Sequence, residues 1–406
     1  MNPKRNKGNA AWLSIAYLVW PFGGLLAAFY NFRRNSSAIY FVAFFMLYGY
    51  SLVYPQNMDA ARYEAQFRDI ASLGPGQIKA PGSEYFLTAI MYLVSRLTEN
   101  TRVFFAVIAF FYSLPFVLGL RILIKEMPRQ RNFILLYFLA AYFLFIPIAS
   151  IVGIRFHTAA FFFVYVALRI VVQQDKSLKT ILIAVFTVFI HWSFVYPLLF
   201  LGVYSFFGSK RRLAYTVLIF SILYRFLVPF DLGAYVGLLG ETFSERYDVY
   251  TMESFVEART IRLSARRNYV AIRGDLMFFF IILVLVVHYF KLFGLRTDEK
   301  SERFYTFMLY MVAMVNFASS NLISNERFLQ LASFLGLAYL FFLMLVNYRR
   351  VAAKILFFFS LIPFGLNLWV NTRFNFETID PLLVIGNIYF ILTTDGSETL
   401  LQWLGK

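Results

Sequence analysis

Residues 328–346 read F-L-Q-L-A-S-F-L-G-L-A-Y-L-F-F-L-M-L-V, nineteen positions without a charge. As a helix this run is about 28 Å long, close to the hydrocarbon thickness of a bilayer. Its flanks differ: Asn325-Glu326-Arg327 opens it and Arg349-Arg350 follows it. Comparable runs recur at 11–30, 38–54, 101–124, 132–149, 155–172, 180–207, 213–229, 275–293, 304–320 and 351–370. Hydrophobic residues make up 60% of the 406 positions and charged residues 15%, which excludes a soluble domain of ordinary composition. Only helices and closed barrels satisfy every backbone group in lipid, so the fold class is all-α. The expectation is a polytopic integral membrane protein of about 11–13 transmembrane or re-entrant helices. With no cysteine there are no disulfides and no thiolate metal sites.

The connections fall into two kinds. Arg33-Arg34, Lys125 to Arg131, Lys176 to Lys179, Lys210-Arg211-Arg212, Lys291 to Arg303, and Arg349-Arg350 with Lys354 are short and basic. Residues 55–100 and 230–274 are long and of mixed charge. The positive-inside rule puts the short set in the cytoplasm and the two long loops outside. Much of the net charge of +16 therefore reports topology and contact with anionic lipid, and does not require a nucleic-acid partner. The whole chain, 1–406, reads as one membrane domain with outer loops 55–100 and 230–274 and a tail at 371–406. Both flanks of 180–207 are basic, so this segment must fold back, near His191 to Pro197. The same parity puts the N-terminus outside, whereas Lys4, Arg5 and Lys7 favour the inside. Trp20-Pro21-Phe22-Gly23-Gly24 is where the first segment could break into a re-entrant piece.

Chemistry-bearing residues gather on the outer side. The first loop opens with Asp59, Arg62, Tyr63 and Glu64, and Glu84 begins an apolar run to Leu97 that reads as interfacial. Arg155 and His157 open one span, His191 and Ser193 mark the fold-back, and Arg327 opens another span. Ionisable groups at such depth usually face a bundle interior or a cavity. In the second loop Arg259, Arg262, Arg266 and Arg273 step by 3, 4 and 7, one face of a helix. Arginine without lysine suits two-pronged binding of phosphate or carboxylate. A solvated loop or a helix lying on headgroups would account for the same pattern. His157, His191 and His288 have no metal-ligand spacing, and no nucleotide loop or internal repeat is visible.

The order of these features resembles the EpsG family of bacterial exopolysaccharide polymerases, which are Wzy-like. Asp59 and Tyr63 meet its Asp-x-x-x-Tyr, Glu84 its glutamate at a re-entrant or interfacial helix, Arg155 its mid-chain arginine, His191 and Ser193 its His-x-Ser, and Arg327 its late arginine. Asn57 stands where the pattern has glycine. The resemblance implies a GT-C-like glycosyltransferase at the outer face of the bacterial inner membrane, acting on undecaprenyl-pyrophosphate-linked oligosaccharides and needing no cofactor. It also implies a polysaccharide co-polymerase as partner.

On that footing Asp59 is the first candidate for the base that deprotonates the acceptor hydroxyl, with Glu84 and His191 as rivals. Arg155, Arg327, Arg259, Arg262, Arg266 and Arg273 would stabilise the departing pyrophosphate without a metal. Arg62, Tyr63, His157 and Ser193 complete the binding set. A lipid-linked sugar flippase, a glycan ligase and an acyltransferase of the same pathway are the alternatives.

Overall fold

The computed structural model describes residues 12–32, 37–55, 58–74, 85–128, 132–208, 210–227, 268–320, 322–394, 396 and 398–405. Every described element is a helix. Five helical stretches are long and apolar enough to cross a membrane: Thr101–Glu126, Ile148–Val171, Ile272–Tyr289, Asn325–Asn347 and Val351–Phe376. Six further apolar helices are shorter. Two of the runs, 213–229 and 304–320, correspond to Arg211–Leu227 and Glu299–Phe317, which fall in neither group.

Hydrogen bonds between distant segments define two faces. On one, Lys300 donates to Glu126 at 2.7 Å, Arg303 to the carbonyls of Val171 and Val172 at 3.3 Å, and Arg296 N–H to Asn347 at 2.8 Å. Arg211 and Lys291 both bind Glu302 there. This is the basic face. On the other, Val53 N–H donates to Thr378 O at 3.1 Å, and Arg102 reaches the carbonyls of Tyr50, Ile391 and Thr394.

Between the faces run α3 (Ser37–Tyr50), α6 (Thr101–Glu126), α7 (Phe133–Leu144), α8 (Ile154–Val171), α11 (Arg211–Leu227), α12 (Asn268–Tyr289), α13 (Glu299–Phe317), α14 (Leu322–Asn347) and α15 (Val351–Phe376). The amphipathic α4 (Asp59–Ser72) lies on the second face, hereafter the α4 face. Helices α13 and α14 form the centre, with side chains from Phe304 to Asn316 and from Leu331 to Met344 buried all round. A capping box of Asp298 and Ser301 starts α13.

Two pairs of short helices turn back within the bundle. Helix α1 (12–19) and helix α2 (Pro21–Tyr30) meet at Trp20 in a V beside α3. Ser14 Oγ lies 2.7 Å from Tyr40 Oη, Phe22 packs on Phe44, and Phe29 on Phe41. Both arms therefore follow the half of α3 nearer the basic face. Pro21 ends one arm and starts the other, where its missing N–H costs nothing. Gly24 permits the close approach: a Cβ there would sit 2.7 Å from Tyr17 Cα. The first described arm thus starts toward the basic face; Lys4, Arg5 and Lys7 lie outside the described residues.

The second partial crossing is α9 (Leu178–Ile190) followed by α10 (Val195–Phe207). Lys176 Nζ donates to Ser205 O at 2.6 Å, so the outer ends of the two arms meet on the basic face. The bend at His191–Phe194 confirms the fold-back expected for 180–207.

Other boundaries move. Helix α5 (Tyr85–Ser95) packs against the bundle at its first turn. Phe86 meets Phe111 and Phe186 well inside the bundle, whereas Arg96 past the other end reaches Leu73 O. Helix α15 continues to Phe376, beyond the expected 370, and the apolar run 381–393 breaks at Gly386-Asn387 into α16 (Pro381–Ile385) and α17 (Ile388–Thr393). Helix α18 (Leu400–Leu404) follows.

The turn between α8 and α9 makes a testable pH element. Asp175 accepts the Ser177 N–H at 2.9 Å and pairs with Arg169, which together hold its carboxyl well below the usual range. A depressed folded pKa stabilises above the unfolded pKa and is lost as pH falls through the carboxylate range. Melting in detergent should therefore show a decline below about pH 4 that Asp175→Asn removes.

Candidate functional site

The site is assembled from the heads of α4 and α8. Asp59 occupies the first position of α4, where a carboxylate complements the helix dipole. Its pair with Arg62, 3.4 Å long and half exposed, is weak on its own. The stronger feature is Tyr63, 1% exposed. Its hydroxyl oxygen accepts an N–H from Arg62 at 3.2 Å and another from Arg155 at 3.2 Å. Both guanidinium groups also lie against its ring, at 5.0 and 5.9 Å. Glu64 serves elsewhere: it accepts from Tyr54 Oη at 2.5 Å and from Arg68 at 2.6 Å. Burial, then the bond to Glu64, pushes the Tyr54 hydroxyl well above its ordinary range.

Arg155 and His157 stand on the first turn of α8, with Phe156 between them. The Phe156 ring is a hub. His157 lies 5.5 Å from it and His191 5.7 Å, both nearly edge-on, and the Arg327 guanidinium 5.5 Å. The Nδ1 of His157 is shielded and has no hydrogen-bond partner, while Arg327 and Arg273 act on the ring electrostatically. Two cations expected from separate stretches, Arg327 and Arg273, thus act on one imidazole.

His191 and Ser193 have a local task as well. His191 Nδ1 lies 2.8 Å from Ser193 Oγ and accepts the Ser193 N–H at 3.3 Å, which caps the short turn at the tip of the α9–α10 fold-back. Without that cap the turn would expose a backbone donor where little water is at hand.

A third set escaped the sequence reading. Asn367, Asn371 and Asn375 recur every four residues in L-N-L-W-V-N-T-R-F-N (366–375), one face of α15. Asn367 and Asn371 donate to Phe145 O at 3.1 and 2.7 Å, Asn371 also to Leu144 O at 3.1 Å, and Asn375 accepts Ala149 N–H at 3.0 Å. Asn371 Oδ1 in turn accepts from Arg273 at 2.8 Å. Tyr112 Oη donates to Pro147 O at 3.1 Å. A cavity of about 60 Å³ adjoins this ladder, lined by Asn371, Thr372 and Asn375 on one side and by Tyr112, Phe116 and Phe161 on the other. The signal is three amides at helical spacing, two of which lie beyond residue 370, where the apolar run of the sequence ends.

The structure therefore joins Asp59, Arg62, Tyr63 and Arg155 in one contact set, and His157, Arg327, His191 and Ser193 in a second around Phe156, with Arg273 held on Asn371 near enough to act electrostatically on His157. Glu84, Arg259, Arg262 and Arg266 lie outside the described residues. Among the described residues no three His, Asp or Glu side chains gather as metal ligands.

A family model described as the EpsG family matches residues 15–379, nearly the whole chain. The chain belongs to the EpsG family. Membership makes it a membrane protein of the polysaccharide-polymerase type. No curated protein and no solved structure matches it. In this EpsG-family member the family match spans both contact sets and the asparagine ladder.

Asn371→Leu keeps the volume but leaves the buried Leu144 carbonyl without its donor, Phe145 O with Asn367 alone, and Arg273 without this amide. A buried carbonyl left unsatisfied costs about 1–3 kcal/mol. The expected result is a clearly lowered melting temperature in detergent, together with reduced activity; melting unchanged from wild type would contradict the ladder's role.

Proposed function

We propose that this EpsG-family protein is a GT-C-like glycosyltransferase that polymerises undecaprenyl-pyrophosphate-linked oligosaccharide repeat units. In this reading the basic face is cytoplasmic. The α4 face is then the outer one, in contact with the periplasm or cell exterior of a bacterial inner membrane. The acceptor hydroxyl attacks the anomeric carbon of the donor. The bond from that carbon to the pyrophosphate oxygen breaks, its electron pair leaves with the pyrophosphate, and the configuration inverts. Asp59 takes the hydroxyl proton, with Glu84 and His191 as the other candidates. Arg155, Arg327 and Arg273, joined by Arg259, Arg262 and Arg266, meet the charge that develops on the leaving group, in the place a divalent ion fills in many sugar transferases. A polysaccharide co-polymerase is the expected partner.

The observation that supports this most is the contact of Tyr63 with Arg62 and Arg155. It brings a carboxylate-bearing helix head and a cationic helix head into one place on the face that also holds Arg327 and Arg273. Separation of charge in that form, with a proton acceptor beside fixed cations, is what displacement of a pyrophosphate requires.

Gel analysis of lipid-linked glycans from membranes with and without the protein tests the class. A polymerase yields a ladder that collapses to a single repeat when the protein is removed. A flippase, ligase or acyltransferase leaves the length of lipid-linked chains unchanged. Asp59→Asn should express normally and produce no long chains, and chelators should leave wild-type activity intact. Long chains from Asp59→Asn would sink the base assignment, and full loss on chelation with rescue by a divalent ion would sink the arginine account.

A further inference from the structure

We infer that the hairpin of α16 (Pro381–Ile385) and α17 (Ile388–Thr393) is inserted in the lipid leaflet beside the α4 face, as an anchor that holds this face at headgroup level. The surface lies outside both contact sets of the site, and its partner is membrane lipid.

The stretch P-L-L-V-I-G-N-I-Y-F-I-L-T-T (381–394) carries no charge, yet protein covers only part of it. Ile385, Tyr389, Phe390 and Leu392 are exposed, Tyr389 at 67%. The ends of the hairpin are fixed at the α4 face. Leu400 N–H donates to Ile379 O at 2.8 Å, Arg102 at the head of α6 donates to Thr394 O at 3.0 Å, and Tyr50 Oη donates to Leu392 O at 3.2 Å. The turn points the other way. Val384 O accepts from Trp20 Nε1 at 2.5 Å, and the neighbouring Phe22 packs on Phe44, six residues before the end of α3 at Tyr50. Five or six helical residues rise about 8–9 Å. That matches the depth of segments lying at the headgroup and acyl boundary, about 5–10 Å.

The backbone is provided for as lipid requires. Asp380 Oδ1 accepts the Leu382 N–H at 2.8 Å and Asn387 Oδ1 the Phe390 N–H at 3.0 Å, so both helix starts are capped. Carbonyls at Val384, Ile391, Leu392 and Thr394 receive donors from Trp20, Arg102 and Tyr50. In water, solvent would serve these groups; in lipid the protein must bring its own partners. Continuity selects lipid over a protein partner. The hairpin follows α15, a full-length span whose stripe of Phe358, Ile362 and Trp369 is exposed. Trp403 on α18 is exposed just beyond it, and Tyr and Trp are the residues of the membrane–water boundary. The hairpin also offers a protein partner no charge to pair with.

The chain has no cysteine, so a single introduced thiol can be labelled cleanly. Tyr389→Cys and Leu392→Cys carry an environment-sensitive fluorophore in full-length protein, reconstituted in phosphatidylcholine–phosphatidylglycerol vesicles. Ser72→Cys, at the exposed end of α4, is the aqueous reference. At both hairpin positions emission should move to shorter wavelength and resist aqueous iodide. It should be lost mostly to lipids with a nitroxide near the headgroup, and less to lipids with one at the chain end. Iodide should quench the reference. Phe390→Asp, added to Tyr389→Cys, should raise iodide quenching, since a charge on the inserted face opposes burial in lipid. Should that variant not fold, the depth profile of the single-thiol proteins decides the matter alone. Iodide quenching at the hairpin equal to the reference would overturn the anchor. Labels shielded from iodide and nitroxide lipids alike would overturn it too, and would point to a second copy or a partner protein on this face.

Discussion

The structure turns on backbone groups left over where α7 stops short. Twelve helical residues rise about 18 Å, well under a bilayer's hydrocarbon thickness, and the chain then bends through Phe145–Pro147 inside the bundle. Carbonyls at that depth have few water molecules to turn to. Asn367, Asn371 and Tyr112 satisfy those of Leu144, Phe145 and Pro147, and Asn375 takes the Ala149 N–H. This arrangement lets α8 begin below the α4 face, with Arg155 and His157 on its first turn. The same Asn371 receives Arg273. One amide thus couples a structural need to the placing of a functional cation.

Partial crossings follow the same logic elsewhere. The α1–α2 V and the α9–α10 fold-back both leave and return on the basic side, so each must turn within the protein. Trp20 Nε1 donates to Val384 O at 2.5 Å, and His191 caps the turn at Ser193. Each turn is closed by a side chain that also meets the α4-face elements. The result is a face built from helix ends, where polar groups can converge, above a basic face where Arg211, Lys291 and Glu302 tie the opposite helix ends. Gly49 shows how tightly the supporting helices fit. A Cβ there would lie 2.5 Å from Phe105 O, so α3 and α6 approach as closely as their backbones allow.

The two contact sets of the site differ in kind. At Tyr63 the groups touch directly, one oxygen to two guanidinium groups. Around Phe156 the contacts are faces and edges of rings, with an arginine above and two histidines at the sides. The first arrangement fixes direction through hydrogen bonds. The second fixes position through packing and leaves His157 Nδ1 unpartnered. Together they surround the first turn of α8.

The apolar runs and their basic connections by themselves determined an all-helical membrane chain with alternating faces, because hydropathy and loop charge are local properties. The same local reading picked out Asp59, Tyr63, Arg155, His157 and Arg327, since a polar residue opening an apolar span is conspicuous wherever the chain later goes. It missed the asparagines of α15, whose reason for being there is a broken helix more than two hundred residues away. It also took Arg62 and Tyr63 as fellow members of a binding set, whereas the fold gives the tyrosine the buried acceptor position and leaves the Arg62–Asp59 pair half exposed. Which runs cross fully, and which cation meets which acceptor, only the tertiary structure decided. Those outcomes depend on how unsatisfied backbone and like charges are shared between distant helices, and no single stretch of sequence contains both partners.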